Sequence, residues 1–197
     1  MAGHLIAFEG LDQSGKQTQA ERLAAALRAT GATVHLLSFP DYQTPIGIEI
    51  GHALRGERPW TPDVLQLLYV ANRLEFRPRI ESWLTAGAVV VCDRYLASSV
   101  AYGEAQGLDA VWLREIQRPL PTPSLTLLLD IAPDVSLGRK RADRDKFERD
   151  LPLLARVRDS YLRQAEAGDW LRLDGAGDRD VVSEQVVAAV STRLGVL

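Results

Sequence analysis

The sequence predicts an α/β protein built in three layers, with a five-stranded parallel sheet flanked by helices. Three observations carry this. Five short apolar runs recur along the 197 residues, at 4–8, 34–39, 88–92, 125–131 and 170–175. They are apolar from end to end rather than alternating, which implies strands buried on both faces. Longer segments with helical spacing separate them, as crossover connections between parallel strands require.

Each element has its own signal. "HLIAF" (4–8) reads as the first strand. Ala20, Leu23, Ala24 and Leu27 then recur at helical spacing, and Gly31 closes that helix. "VHLLSF" (34–39) is a second strand, stopped by Pro40. Thr61 followed by Pro62 is an N-cap with proline at the first helical position. Val64, Leu67, Leu68, Ala71 and Leu74 make an apolar stripe along the helix that follows. Pro78 should kink or break it, and Gly87 should end its continuation. "AVVVC" (88–92) is the third strand. "LTLLLDI" (125–131) is the fourth, after the proline-spaced "RPLPTPS", and "WLRLDG" (170–175) is the fifth. A last helix fills 180–194. Neither repeats nor low-complexity linkers interrupt the chain, so residues 1–197 read as a single domain.

Composition narrows the class. Apolar residues are 46% and charged residues 25% of the chain, as in an ordinary globular protein. A net charge of −3 gives no field for coating nucleic acid, so any basic site must be local. The one cysteine, Cys92, excludes an intramolecular disulfide and suits a reducing compartment. No apolar run approaches the length of a membrane helix, and Glu9 cuts the first, so neither a signal peptide nor an anchor is expected. Of the 23 basic side chains three are lysines, Lys16, Lys140 and Lys146. Lys16 stands out against that arginine background.

Lys16 lies in "FEGLDQSGKQTQ" (8–19), where Gly10-x-x-x-x-Gly15-Lys16 follows a strand and opens a helix. That is the context of a phosphate-binding P-loop. Glycines at 10 and 15 let the backbone around Leu11, Asp12, Gln13 and Ser14 turn successive N–H groups toward one anion. The helix N-terminus adds about half a positive charge. Lysine brings a mobile point charge for the outer phosphates of a nucleotide. The usual pattern places Ser or Thr next, to reach Mg²⁺; here Gln17 stands there and Thr18 follows. Either Gln17 or a shifted Thr18 is left to serve.

Ligands in a parallel sheet sit beyond the carboxyl ends of the strands. An Asp that ends an apolar strand beside a P-loop commonly binds Mg²⁺. Asp93, after "VVVC", and Asp130, after "LTLLL", both qualify, and position alone does not choose between them. Asp93 is followed by Arg94, which offers a phosphate clamp beside a metal ligand. Asp12 is a third acid facing the same space.

With "FEGLDQSGKQTQ", "FPDYQTPIG" (39–47), "YVANR" (69–73) and "DRYLASSVAY" (93–102) in order, the chain resembles the thymidylate kinase family from residue 4 to the final helix. The P-loop alone is shared by many phosphate-transfer enzymes; the ordered set is specific to that family. The resemblance implies a P-loop kinase domain that moves the γ-phosphoryl of ATP to dTMP with Mg²⁺, a cytoplasmic location and a homodimer. It implies that Gly10 to Thr18 wrap the ATP phosphates and that Asp12 lies near the acceptor sugar and the transferring group. Phe39 and Pro40 line the nucleoside pocket. Tyr69 stacks on thymine and Arg73 bonds its edge. Arg94 holds the dTMP phosphate, and Asp93 orients it and the metal. Ser98 and Ser99 edge the base pocket, and Tyr102 lies under the deoxyribose. Tyr69 and Arg73 are four apart, so a helix does place them on one face.

One departure matters. Some family members carry an arginine at the place of Gln13; others take their arginines from a later lid, and this chain is of that second kind. "GRKRADRDKFER" (138–149) supplies Arg139, Lys140, Arg141, Arg144, Lys146 and Arg149. The resemblance makes 138–150 a lid over ATP, with Arg139 and Arg141 on the nucleotide and Arg144 foremost at the transferring phosphoryl. Asp143, Asp145 and Glu148 interrupt the run, which weakens a nucleic-acid reading. Glu148 matches a family acid near the metal, so the implied metal ligands are Asp12, Thr18, Asp93 and Glu148. The rival readings are a kinase for another monophosphate or for a deoxynucleoside, and a noncatalytic P-loop switch.

Overall fold

The computed structural model describes residues 3–139, 147 and 150–196. Its strands are β1 (His4–Glu9), β2 (Val34–Ser38), β3 (Val89–Asp93), β4 (Leu125–Asp130) and β5 (Leu171–Asp174). All pair in parallel, in the order β2-β3-β1-β4-β5. Ile6, Phe8, Val90, Val91, Leu127 and Leu129 on the inner strands are fully buried, which is why these runs are apolar on both faces. The register sets Phe8 and Ser38 opposite Asp93. The ends of β1, β2 and β3 are therefore level, and the residues that follow them meet at one edge. β1 has later strands on both sides, so connections diverge from it and open a crevice at its carboxyl end.

Helix α1 (Lys16–Ala29) and α9 (Arg179–Leu194) cover one face. Leu23 and Leu27 pack there with Ile6, Phe8, Val182 and Val186, and burying each such side chain stabilises by about 1.5–3 kcal/mol. The other face carries α3 (Pro62–Leu74), α4 (Arg77–Thr85), α5 (Leu96–Ala105) and α8 (Leu151–Ala167). The remaining helices are α2 (Pro45–Leu54), α6 (Ala110–Glu115) and α7 (Pro133–Arg139). Thr44, Asp109, Asp150 and Asp178 accept hydrogen bonds from the first turns of α2, α6, α8 and α9, each worth about 1 kcal/mol.

Three expectations are corrected. The second strand ends at Ser38, so Phe39 leaves the sheet and turns into the site. The apolar stripe of α3 is not its buried face. Leu65, Gln66, Val70, Asn72 and Arg73 are buried, whereas Leu67 is 48% exposed and Val64, Leu68, Ala71 and Leu74 are half-buried. The buried side mixes Leu65 and Val70, which join the apolar cores, with Gln66, Asn72 and Arg73. Finally, α3 stops at Leu74, and Pro78 lies in the first turn of α4 rather than at the break, where a missing N–H costs nothing.

Candidate active site

The loop from Gly10 to Gly15 turns sharply at its two glycines, with φ of +138° and +95°. A Cβ on Gly10 would lie 2.4 Å from the carbonyl oxygen of Leu129, so only glycine lets the loop rest on β4. Leu11 and Ser14 are buried, and the Ser14 hydroxyl has no partner among the described residues. Gly15 caps α1, and Lys16 enters its first turn. Lys16 is 5% exposed and its Nζ donates to the carbonyl of Leu11 at 2.7 Å. Burial, helped by the Arg94 charge, pulls its pKa down to about 8. Gln17 points outward and its amide donates to Glu21, while Thr18 is half-buried.

Two further contacts staple the loop. Ser136 of α7 donates to the Asp12 carbonyl at 2.8 Å, and Arg139 Nη1 donates to the carbonyls of Gln13 and Gly175, each at 2.9 Å. Gln13 itself is exposed, with φ of +62°. Arg139 thus braces the loop backbone at Gln13. Arg141, Arg144 and Glu148 lie outside the described residues.

Beside the loop, Asp12, Arg94, Ser98 and Tyr102 meet. Arg94 Nη2 donates to Asp12 Oδ1 at 2.7 Å and Tyr102 OH donates to Asp12 Oδ2 at 3.0 Å. Arg94 Nη1 donates to the Gly10 carbonyl, to Ser98 and to the Tyr161 hydroxyl. Burial alone would raise the Asp12 pKa, but the Arg94 and Lys16 charges hold it far below the usual carboxylate range. Burial opposes the charge on Arg94, but Asp12, Tyr102, Tyr161 and Asp93 together outweigh it and hold the guanidinium charged. Asp12 is therefore an ionised partner of Arg94 and Tyr102.

Next to this cluster lies a small pocket of about 80 Å³ lined by Phe39, Pro40, Tyr69, Arg73, Ser98 and Ser99, with Arg94 and Tyr102 at one end. Arg73 is 3% exposed, so it does not reach out to solvent; its Nη1 donates to Ser99 at 2.8 Å and to Gln117 at 3.4 Å. Asn72 was legible only as part of a motif. It ties the 41–44 loop to α3, accepting from Asp41 N and donating to the Asp41 carbonyl and to Thr44. Tyr42, Leu54 and Phe147 also line the pocket; they lie on three separate segments with no local sequence signal.

The two strand-end acids are now distinct. Asp130 takes four hydrogen bonds from Arg158 and Arg172, so it is a structural anchor. Asp93 Oδ1 is buried and unpartnered among the described residues, and its charge is felt by Lys16. A larger cleft of about 620 Å³ lies between α5, α6 and the start of β4. Its lining runs from Glu9, just before the glycine loop, to Trp170 and Arg193, and Arg193 is already paired to Asp169.

Comparisons with known proteins agree with this geometry. Residues 8–186 match the family model for thymidylate kinase. A thymidylate kinase of Thermomicrobium roseum is 36% identical, over 94% of this chain and 93% of its own. One of Schizosaccharomyces pombe is 31% identical, over 96% of this chain and 92% of its own. A solved thymidylate kinase structure from Candida albicans superposes with a TM-score of 0.84 at 29% identity, covering all of this chain and 94% of that one. A glycine loop, an arginine held at its flank and a small pocket fall in one crevice of a chain that aligns nearly end to end with these relatives, and the chain belongs to the thymidylate kinase family.

Proposed function

We propose that this chain transfers the γ-phosphoryl of ATP to the phosphate of dTMP, giving dTDP and ADP. The observation that carries this is Arg94, fixed between the glycine loop and the Tyr69–Arg73 pocket. A cation there holds an anion on a ligand whose ring fills the pocket, and so brings a monophosphate rather than a bare nucleoside to the donor.

The roles follow from the chemistry. The glycine loop and Lys16 receive the ATP phosphates. Phe39, Tyr69 and Arg73 receive thymine, with an aromatic face and a donor fork for its polar edge. Tyr102, packed under Arg94 with its ring centre 5.4 Å from the guanidinium carbon, crowds a ribose 2′-hydroxyl. Both substrates are polyanions, and two unit charges at about 4 Å repel by about 4 kcal/mol at an effective dielectric of 20. Lys16, Arg94 and the arginines from 139 onward offset that repulsion. The acceptor phosphate is already ionised, so positioning and charge neutralisation suffice without a strong base.

The residues present suit Mg²⁺. Asp93 offers a buried, unengaged carboxylate oxygen and Thr18 a hydroxyl at the head of α1, as a hard cation shared with phosphates requires. When bound, Mg²⁺ neutralises charge on the transferring phosphates. Glu148 belongs to the same proposed set. We also propose a homodimer in the cytoplasm. Leu67, Ile48 and Trp60, on or beside the packed helices α2 and α3, are each more than 40% exposed, an apolar face suited to a second copy. The single cysteine suits a reducing compartment. Among the described residues no helix is long and apolar enough to cross a membrane.

Coupled ADP release, measured with dTMP, dUMP, dCMP and thymidine as acceptors, tests the substrate. Turnover should be greatest with dTMP. Preference for thymidine would favour a deoxynucleoside kinase, and silence across the panel a nucleotide switch.

A further inference from the structure

Arg94 is held differently on its two edges. Nη2 faces the pocket, on Asp12, whose side chain is 30% exposed, and on Tyr102. Nη1 faces the interior, with acceptors at Gly10 O (3.1 Å), Ser98 Oγ (3.2 Å) and Tyr161 OH (3.2 Å). A hydroxyl can accept from arginine in this way only if its own proton goes elsewhere. Ser98 gives its proton to Glu9 Oε2 at 2.6 Å. Tyr161 lies 2.8 Å from Ser98 and 3.3 Å from the same Glu9 oxygen. Glu9 is fully buried, at the end of β1. It is the terminal acceptor that turns the lone pairs of both hydroxyls toward Arg94.

Glu9 also acts on the backbone. Its Oε1 accepts the N–H of Tyr95 at 2.9 Å, the residue after Arg94. Arg94 has φ of +64°, in the left-handed region that side chains other than glycine rarely adopt and that persists only when surroundings over-determine it. One carboxylate thus fixes the turn that aims Arg94 and the hydroxyls that hold its inner edge.

We infer that Glu9, acting through Ser98 and Tyr161, is a positioning residue for the acceptor phosphate: it locks the inner edge of Arg94 so that the outer edge can exchange Asp12 for phosphate. The relay rests on the dTMP reading above and deepens it. It separates a permanent set of partners from an exchangeable one. A phosphate then meets an arginine already ordered, and little of its binding energy goes into fixing a flexible side chain. Glutamine at position 9 would reverse the polarity, because its amide must donate to a hydroxyl that now needs an acceptor. That hydroxyl would then turn its proton toward Arg94.

The test is calorimetric binding of dTMP, thymidine and ATP to the wild type, Glu9→Gln and Tyr161→Phe. The relay acts on phosphate only. Each variant should raise the dTMP dissociation constant roughly three- to tenfold, with thymidine and ATP changed less than about twofold. Equal losses for dTMP and thymidine, or an unchanged dTMP affinity, would overturn it. Should Glu9→Gln fail to fold, Tyr161→Phe decides alone, since it removes one oxygen and keeps the ring. A wild type that binds dTMP no more tightly than thymidine would instead overturn the assignment of Arg94 to the acceptor phosphate, a separate failure visible before any variant is compared.

Discussion

Lys16 is a buried charge whose Nζ donates to the Leu11 carbonyl. Its pKa falls to about 8 from 10.5. Below pH 8 both folded and unfolded chains carry the proton, and the folded state bears the full penalty. Between pH 8 and 10.5 the unfolded chain binds more protons, so the penalty fades as pH rises. Lys16→Met should therefore abolish turnover while stabilising the fold at pH 7, by up to about 3 kcal/mol, and the gain should shrink by pH 10. Thermal melts of both proteins at the two pH values measure this; a variant less stable at pH 7 would contradict it. ATP phosphates should return the proton, so ATP affinity should fall as pH rises above 8. Arg73 is the second test at this scale. Its buried fork should pair a thymine carbonyl, so Arg73→Ala should weaken dTMP by roughly 1–3 kcal/mol and leave ATP nearly unchanged. Equal weakening of both ligands would misplace it. These residues stood out because glycine spacing, a lysine against an arginine background and an i, i+4 pair are local patterns. Glu9 was not singled out: its partners Ser98 and Tyr161 are 89 and 152 residues away, and no local spacing records such a meeting.

At the scale of elements, the strands read correctly and α3 did not. Full burial writes strands as apolar runs, whatever their neighbours. A helix beside a ligand crevice inverts the usual rule, with Asn72 and Arg73 inside and Leu67 outside. If that outer stripe meets a second copy, Leu67→Glu should convert dimer to monomer in light scattering, with the melting transition retained. A variant that remains dimeric would move the interface elsewhere. Helix α2 carried the same Thr-Pro start as α3, and α8 the Asp150 cap followed by a buried stripe of Leu153, Leu154, Val157 and Tyr161; these signals were present but unread. The basic segment that begins in α7 follows the same logic. Arg139 already bridges Gln13 and Gly175 and braces the glycine loop there. Replacing Arg139, Arg141 and Arg144 together by alanine should lower kcat by about 10³-fold, the least that an arginine on the transferring group contributes in related systems, with little change in dTMP affinity. Steady-state kinetics that retain most of kcat would reduce the segment to a cover.

For the whole molecule, function follows from topology. The order β2-β3-β1-β4-β5 places β1 between two later strands, and the level ends of β1, β2 and β3 bring the glycine loop, Phe39 and Arg94 to one crevice. The parallel sheet was legible in the sequence; the strand order was not, since it depends on pairings far apart in the chain. That Asp130 is a structural anchor was not legible either, because only the fold brings Arg158 and Arg172 to it. The central claim is that this crevice joins two phosphates. Following ATP and dTMP with the enzyme by ³¹P NMR tests it most directly. The account predicts ADP and dTDP in equal amounts, with the γ-phosphorus of ATP becoming the terminal phosphorus of dTDP; ADP accompanied by orthophosphate and no dTDP would contradict it.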